Sequence, residues 1–158
     1  MTVRTFLRRA EPVTVMRAGV LALAVVASCG TAVELATERH WNSTLQLVPW
    51  AALGVLALAQ GLITVRPGQV AVRVARILAV LVVLTSIFGI VEHVQANLDT
   101  GALNATYADT WDRLSIWTQL WYAATKTVGP APPLAAGVLA QAGLLTLLAT
   151  WRHPALAR

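Results

Sequence analysis

The sequence predicts an all-α integral membrane protein, a bundle of four transmembrane helices with an extra amphipathic interfacial helix in the outer loop between helices 3 and 4. Three observations carry that expectation. Of the 158 residues, 57% are hydrophobic and 12% charged, and mean hydropathy is +0.65; soluble domains carry about a quarter charged residues. Apolar runs of about 20 residues, the length that crosses a bilayer, recur four times. The basic residues gather where those runs end.

The first span is "AGVLALAVVASCGTAVELAT", 18–37, bounded by Arg17 and Glu38. The row Ala24, Ser28, Ala32, Ala36 makes a small-xxx-small stripe suited to close helix packing. "VASC", Val26–Cys29, matches a bacterial lipobox, in which a signal is cut before a lipidated cysteine. The apolar pattern continues past Cys29 to a full spanning length, which favours an uncut helix. The second span is 45–65, with Pro49 expected in its first turn, where a missing N–H costs least. The third runs over about 74–95. The fourth, 133–151, follows "GPAPP", a stop that ends in a proline suited to a first helical turn. Residues 1–158 form one membrane domain on this reading.

Arginine sets the orientation. Arg4, Arg8, Arg9, Arg17, Arg66, Arg73, Arg76, Arg152 and Arg158 fall on one side, against Arg39, Arg113 and Lys126 on the other. The positive-inside rule then places both termini in the cytoplasm of a multi-pass protein. Glu34, Glu38, Glu92, Asp99, Asp109 and Asp112 lie toward the outer side, with Trp41, Trp50, Trp111, Trp117 and Trp121. The net charge of +5 therefore reads as topology signal, and no basic stripe with interleaved aromatics points to nucleic acid. The single cysteine, Cys29, excludes an intramolecular disulfide and any two-cysteine redox mechanism.

The candidate site lies at the outer ends of helices 1 and 3, which run in the same direction. Glu34 is 17 residues beyond Arg17; Glu92 and His93 are 16 and 17 beyond Arg76. At about 1.5 Å per residue all three reach roughly 24–26 Å, about one turn below the outer boundary. Ionisable groups at that depth need pairing, hydration or protonation. Glu34 and Glu38 share a helical face, and His93 is within reach of Glu34 on this estimate, with Arg39 or His40 folding back. Glu34, Glu38, His40, Glu92 and His93 thus form one expected cluster. It reads either as a polar cap that sets helix register or as a ligand, proton or metal site. Glu34, Glu92 and His93 would be the metal ligands, although neither Glu-x-x-His nor His-x-x-x-His spacing is present. No cofactor is implied.

The outer loop, Asn97 to Gly129, is too long for a simple connection. Within it, 106–126 has helical periodicity, a T-x-x-D capping pattern at Thr106 and Asp109, and an aromatic face of Tyr107, Trp111, Leu114, Trp117, Trp121 and Tyr122. Such a helix belongs at the membrane interface, as a belt or as a lid whose Trp111, Trp117 and Trp121 cover the cluster. The sequons at 42–44 and 104–106 carry little weight in a composition that looks bacterial. Gln60, Gln141, Thr85 and Ser86 are expected to hydrogen-bond between helices.

With "VEHVQANL" near the end of the third helix and "GPAPPLAAGVLAQAGLL" opening the fourth, the chain resembles the small four-helix inner-membrane proteins of high-GC actinobacteria. The resemblance covers the whole chain in hydropathy and implies the bacterial cytoplasmic membrane; no activity comes with it. The DoxX-like four-helix proteins share the size but not the motifs. The function expected is non-enzymatic: an accessory or scaffold subunit of a larger membrane complex or homo-oligomer, or a small binding protein, working through its outer end. The alternative is a small-ligand, proton or metal-handling module built on Glu34, Glu92 and His93.

Overall fold

The computed structural model describes residues 11–156. Arg4, Arg8, Arg9 and Arg158 of the orientation argument lie outside them. The described residues contain five α-helices and no strand: α1 (Pro12–Thr37), α2 (Thr44–Val65), α3 (Gln69–Asp99), α4 (Ile116–Ala124) and α5 (Pro133–Ala149). α1, α2 and α3, of 26, 22 and 31 residues, are long and apolar enough to cross a membrane. α5 is equally apolar but has 17 residues.

The distribution of side chains is that of a membrane protein. Small residues fill the interior: Ala24, Ala59, Ala75, Ala79 and Ala142 are fully buried. Leu23, Val26, Leu58, Ile77, Leu84 and Leu144 face outward and are more than half exposed. A water-soluble fold would bury the larger set. Without a hydrophobic drive between helices in lipid, close backbone approach by small residues supplies the association.

α5 packs chiefly on α3 and α1, and α3 also packs on α2, so α1 and α3 stand diagonally across the bundle. The α3–α5 contact is antiparallel and tight. A Cβ on Gly143 would lie 2.9 Å from Val83, and one on Gly89 would lie 3.4 Å from Ala136. Ala52, Leu53, Leu56, Val82, Leu139 and Ala142 form the central core, and Ala59, Ile63, Val72 and Ala75 a second one nearer the arginine-rich end.

One polar link ties three helices. Gln60 on α2 donates through Nε2 to Ser28 Oγ on α1 at 3.0 Å and to Thr146 Oγ1 on α5 at 3.3 Å. Each hydroxyl in turn donates to its own helix, to the Ala24 and Ala142 carbonyls. Bonds of this kind contribute about 0.6 kcal/mol each in a membrane. Of the other expected interhelical bonds, Thr85 and Ser86 donate back within α3, to the Leu81 and Val82 carbonyls, because a hydroxyl can reach the preceding turn. Gln141 is exposed.

Helix ends are set locally. At the close of α1, His40 N–H donates to the Leu35 carbonyl and Arg39 N–H to the Ala36 carbonyl, with Arg39 left-handed at φ 50°. This is a Schellman turn with arginine where glycine is usual. Lys126, at φ 58°, repeats the pattern after α4. Ser43 caps α2 by accepting from Gln46 N–H. Because α2 begins at Thr44, Pro49 falls in the second turn and not the first, and the Leu45 carbonyl loses its helical partner. At the opposite end of the bundle, Arg17 donates through Nη2 to the Trp151 and Arg152 carbonyls, closing the C-terminus of α5 with a positive charge.

Candidate functional site: a cavity at the loop end

The Schellman turn after α1 brings the chain back over the bundle and places His40 beside the ends of α1 and α3. There a cavity of about 490 Å³ opens among all four long helices. Its wall includes Thr31, Glu34, Leu35 and Glu38 from α1, then His40. Pro49 and its neighbours come from α2, Ser86, Gly89, Glu92 and His93 from α3, Pro130–Pro132 from the segment before α5, and Ala135 and Leu139 from α5 itself. All five residues of the expected cluster line this one cavity. They reach it from diagonal helices, so Glu34 and Glu92 face a common space and are not packed against each other.

His93 does not bond to Glu34. Its Nδ1 lies 2.9 Å from the Pro132 carbonyl oxygen. A carbonyl only accepts, so Nδ1 is the donor of this bond. His40 is held by its backbone, whose carbonyl accepts from Trp50 Nε1 at 2.8 Å. Burial against the cavity wall lowers the His40 pKa below its ordinary value; His93 adds to the shift and Glu38 opposes it. Of the two residues offered as alternatives for folding back, His40 lines the cavity and Arg39 does not.

The chemistry of the cavity is mixed. Its floor, Leu35, Leu139 and Ala135, is apolar. Its rim carries three carboxylates and two imidazoles. The N-terminus of α5, the positive end of that helix dipole, opens on the same space. Among the described residues no three His, Cys, Asp or Glu side chains are grouped closely enough to hold a metal ion.

The loop departs from expectation in a way that matters for the site. The helix expected over 106–126 is confined to Ile116–Ala124, preceded by turns and a short 3-10 segment at Trp111–Arg113. Ser115, accepting from Thr118 N–H, is the actual N-cap, and the T-x-x-D pattern at Thr106 caps nothing. The cause is Trp111. It is 6% exposed and packs with Ala123 and Val128, against Tyr107, Leu114 and Tyr122. Its ring lies so close to Gly101 that any Cβ there would overlap it. Trp117 and Trp121, by contrast, are 77% and 66% exposed. None of the three expected lid tryptophans lines the cavity. Trp111 is the core of the loop, and Trp117 and Trp121 belong to its outer surface.

Asn97, read from sequence only as the start of the loop, is its anchor. It is fully buried. Nδ2 donates to the Ala123 carbonyl at 2.9 Å and the Ala131 carbonyl at 2.8 Å, while Oδ1 accepts from Ala131 N–H at 2.9 Å. Gly129, at φ 75°, packs directly on it; a Cβ there would come within 2.2 Å of Asn97 Oδ1. The two residues that bracketed the loop in sequence are in contact. The available signal was an asparagine two residues before the end of an apolar helix, followed across the loop by a glycine next to "PAPP". This clasp fixes Pro130–Pro132, which form one wall of the cavity.

Comparison of the chain with protein-family models, with curated proteins and with solved structures returned no match.

Proposed function

We propose that this chain is a multi-pass protein of the bacterial cytoplasmic membrane that binds a small ligand in the cavity at its extracytoplasmic end. On this reading both termini are cytoplasmic and α5 makes a fourth crossing. A helix of 17 residues spans about 26 Å, a few ångströms under the hydrocarbon thickness. Local thinning and the Trp151 anchor accommodate that difference. α4 lies at the outer interface, with Trp117 and Trp121 at headgroup level.

The observation that carries the reading is convergence. Five ionisable side chains from two diagonal helices and one turn line a single cavity whose remaining wall is largely apolar. Its volume lies within the range of small-molecule sites, about 300–1,000 Å³. Carboxylates outnumber histidines on the rim, which favours a ligand with a cationic or hydrogen-bond-donating head and an apolar body.

The test uses tetraphenylphosphonium as the probe. It is titrated calorimetrically into purified protein in detergent, alongside the triple variant Glu34→Gln, Glu92→Gln, His93→Gln. The reading expects measurable binding to the wild type and at least tenfold weaker binding to a triple variant that melts at the same temperature. Equal binding by both proteins, or none by the wild type, would sink it. A triple variant that fails to fold would assign the cluster to bundle closure; Glu92→Gln alone then serves as the binding test.

A further inference from the structure

The arginine-rich end of the bundle carries a second concavity, unconnected to the ionisable cluster. It is a groove of about 600 Å³ on the outer face of the α3–α5 pair. Arg76, Val80 and Leu81 of α3 line it, with Leu144 and Leu148 of α5 and Trp151 in the turn just beyond that helix. The antiparallel register set by Gly143 against Ala79 and Val83 places Arg76 level with Leu148 and Trp151, at the end of the groove. Leu81 and Leu144 lie between one and one and a half turns farther from that end, about 6–8 Å along the helix axes.

The order of chemistry along the groove is cation, then indole, then branched aliphatic side chains. A phospholipid presents the matching order: anionic headgroup, ester region, acyl chain. The floor exists because the α3–α5 contact is made by Ala79 and Gly143, whose lack of bulk lets large neighbours stand up on either side. Arg76 makes no ion pair among the described residues, and Arg73, also exposed, lies one turn nearer the helix start. Basic pockets between membrane helices on the cytoplasmic side are suited to anionic headgroups. Trp151 sits where an amphipathic ring partitions at the boundary.

We infer that this groove is a binding site for an anionic phospholipid of the inner leaflet, with Arg76 on the phosphate, Trp151 at the ester region and one acyl chain along Val80, Leu81, Leu144 and Leu148. The inference rests on the membrane reading above but not on the outer cavity.

The full chain in dodecyl maltoside is titrated with dioleoyl phosphatidylglycerol and with dioleoyl phosphatidylcholine, and bound lipid is counted by native mass spectrometry. The first phosphatidylglycerol is expected to bind about fivefold more tightly than phosphatidylcholine, the effect of roughly one basic contact near the membrane surface. Arg76→Gln removes that preference, whereas Arg66→Gln, the same charge change outside the groove, preserves it. Leu148→Trp fills the groove without altering charge and weakens both lipids, which keeps the test decisive if Arg76→Gln does not fold. Equal binding of the two lipids by the wild type overturns the site. So does a preference that survives Arg76→Gln, or one lost equally in Arg66→Gln. Displacement of the lipid by millimolar inorganic phosphate would show that the headgroup alone is held, and would overturn the acyl-chain groove. The detergent titration does not depend on orientation. An active C-terminal alkaline phosphatase fusion would overturn the inner-leaflet assignment alone.

Discussion

Replacing Asn97 with alanine separates the loop from the bundle. The side chain makes three hydrogen bonds, at 2.9, 2.8 and 2.9 Å, all to backbone groups of α4 and of the segment just before α5. Truncation removes all three and strands the Ala123 carbonyl and both polar groups of Ala131. At about 1 kcal/mol net for each bond, the expected loss is about 3 kcal/mol. It falls on the loop first, because α1, α2, α3 and α5 pack on one another without Asn97. A shift of that size raises the open population of the loop about a hundredfold, at about 1.4 kcal/mol per decade. Cleavage then tracks the open fraction. Limited trypsin digestion at Arg113 and Lys126 is therefore expected to accelerate by about two orders of magnitude in Asn97→Ala. Helix content by circular dichroism should change little. Gly129→Ala should act in the same direction, since its Cβ would meet Asn97 Oδ1 at 2.2 Å and Asn97 Cα at 2.6 Å, in a backbone conformation that alanine disfavours. Less than a threefold change in cleavage for Asn97→Ala would refute the clasp.

Two further expectations follow from the loop core and from the histidine beyond α5. Trp111→Ala should destabilise the loop by about 3 kcal/mol, the usual cost of emptying a buried aromatic site, whereas Trp117→Ala should leave its stability within about 0.5 kcal/mol. Equal protease sensitivity of the two variants would contradict the division between buried and exposed tryptophans. His153 has its pKa lowered from the ordinary 6.5, first by burial and then by Arg17, and its Nδ1 accepts from Ala155 N–H at 3.2 Å. The folded state therefore binds a proton less readily than the unfolded one. The stabilisation from neutral His153 is complete above pH 6.5 and is lost as pH falls through that value toward the depressed folded one. His40, lowered for a similar reason, acts with the same sign. Melting temperature in detergent should fall between about pH 7 and pH 5, and His153→Ala should flatten part of that slope. A melting temperature that rises on acidification would contradict the assignment.

The helical class and the extent of α2 were legible because an apolar run of bilayer-spanning length is visible residue by residue, whereas α1 begins at Pro12, six residues before the expected 18, since a helix continues past the apolar stretch that marks it. The convergence of Glu34, Glu38, His40, Glu92 and His93 was legible for a related reason. A helix rises by a constant increment, so counting from Arg17 and Arg76 gives depth without tertiary information. That count could not supply direction. Only packing showed that α1 and α3 stand diagonally, that His93 turns to the Pro132 carbonyl, and that the cluster therefore lines a cavity and forms no tight pair.

The loop resisted reading because periodicity records which residues are apolar and not where each one goes. Trp111, Trp117 and Trp121 look alike on a helical wheel, yet the contact with Gly101 draws Trp111 inward and breaks the helix before Ser115. Asn97 was invisible for the same cause, since its partners lie 26 and 34 residues away. By itself the sequence determined what repeats along the chain: the apolar helical runs and the placing of arginines and acids at their ends. The tertiary structure alone decided what depends on contacts distant in sequence, namely the clasp, the split of the tryptophans, and the groove that Ala79 and Gly143 leave between α3 and α5.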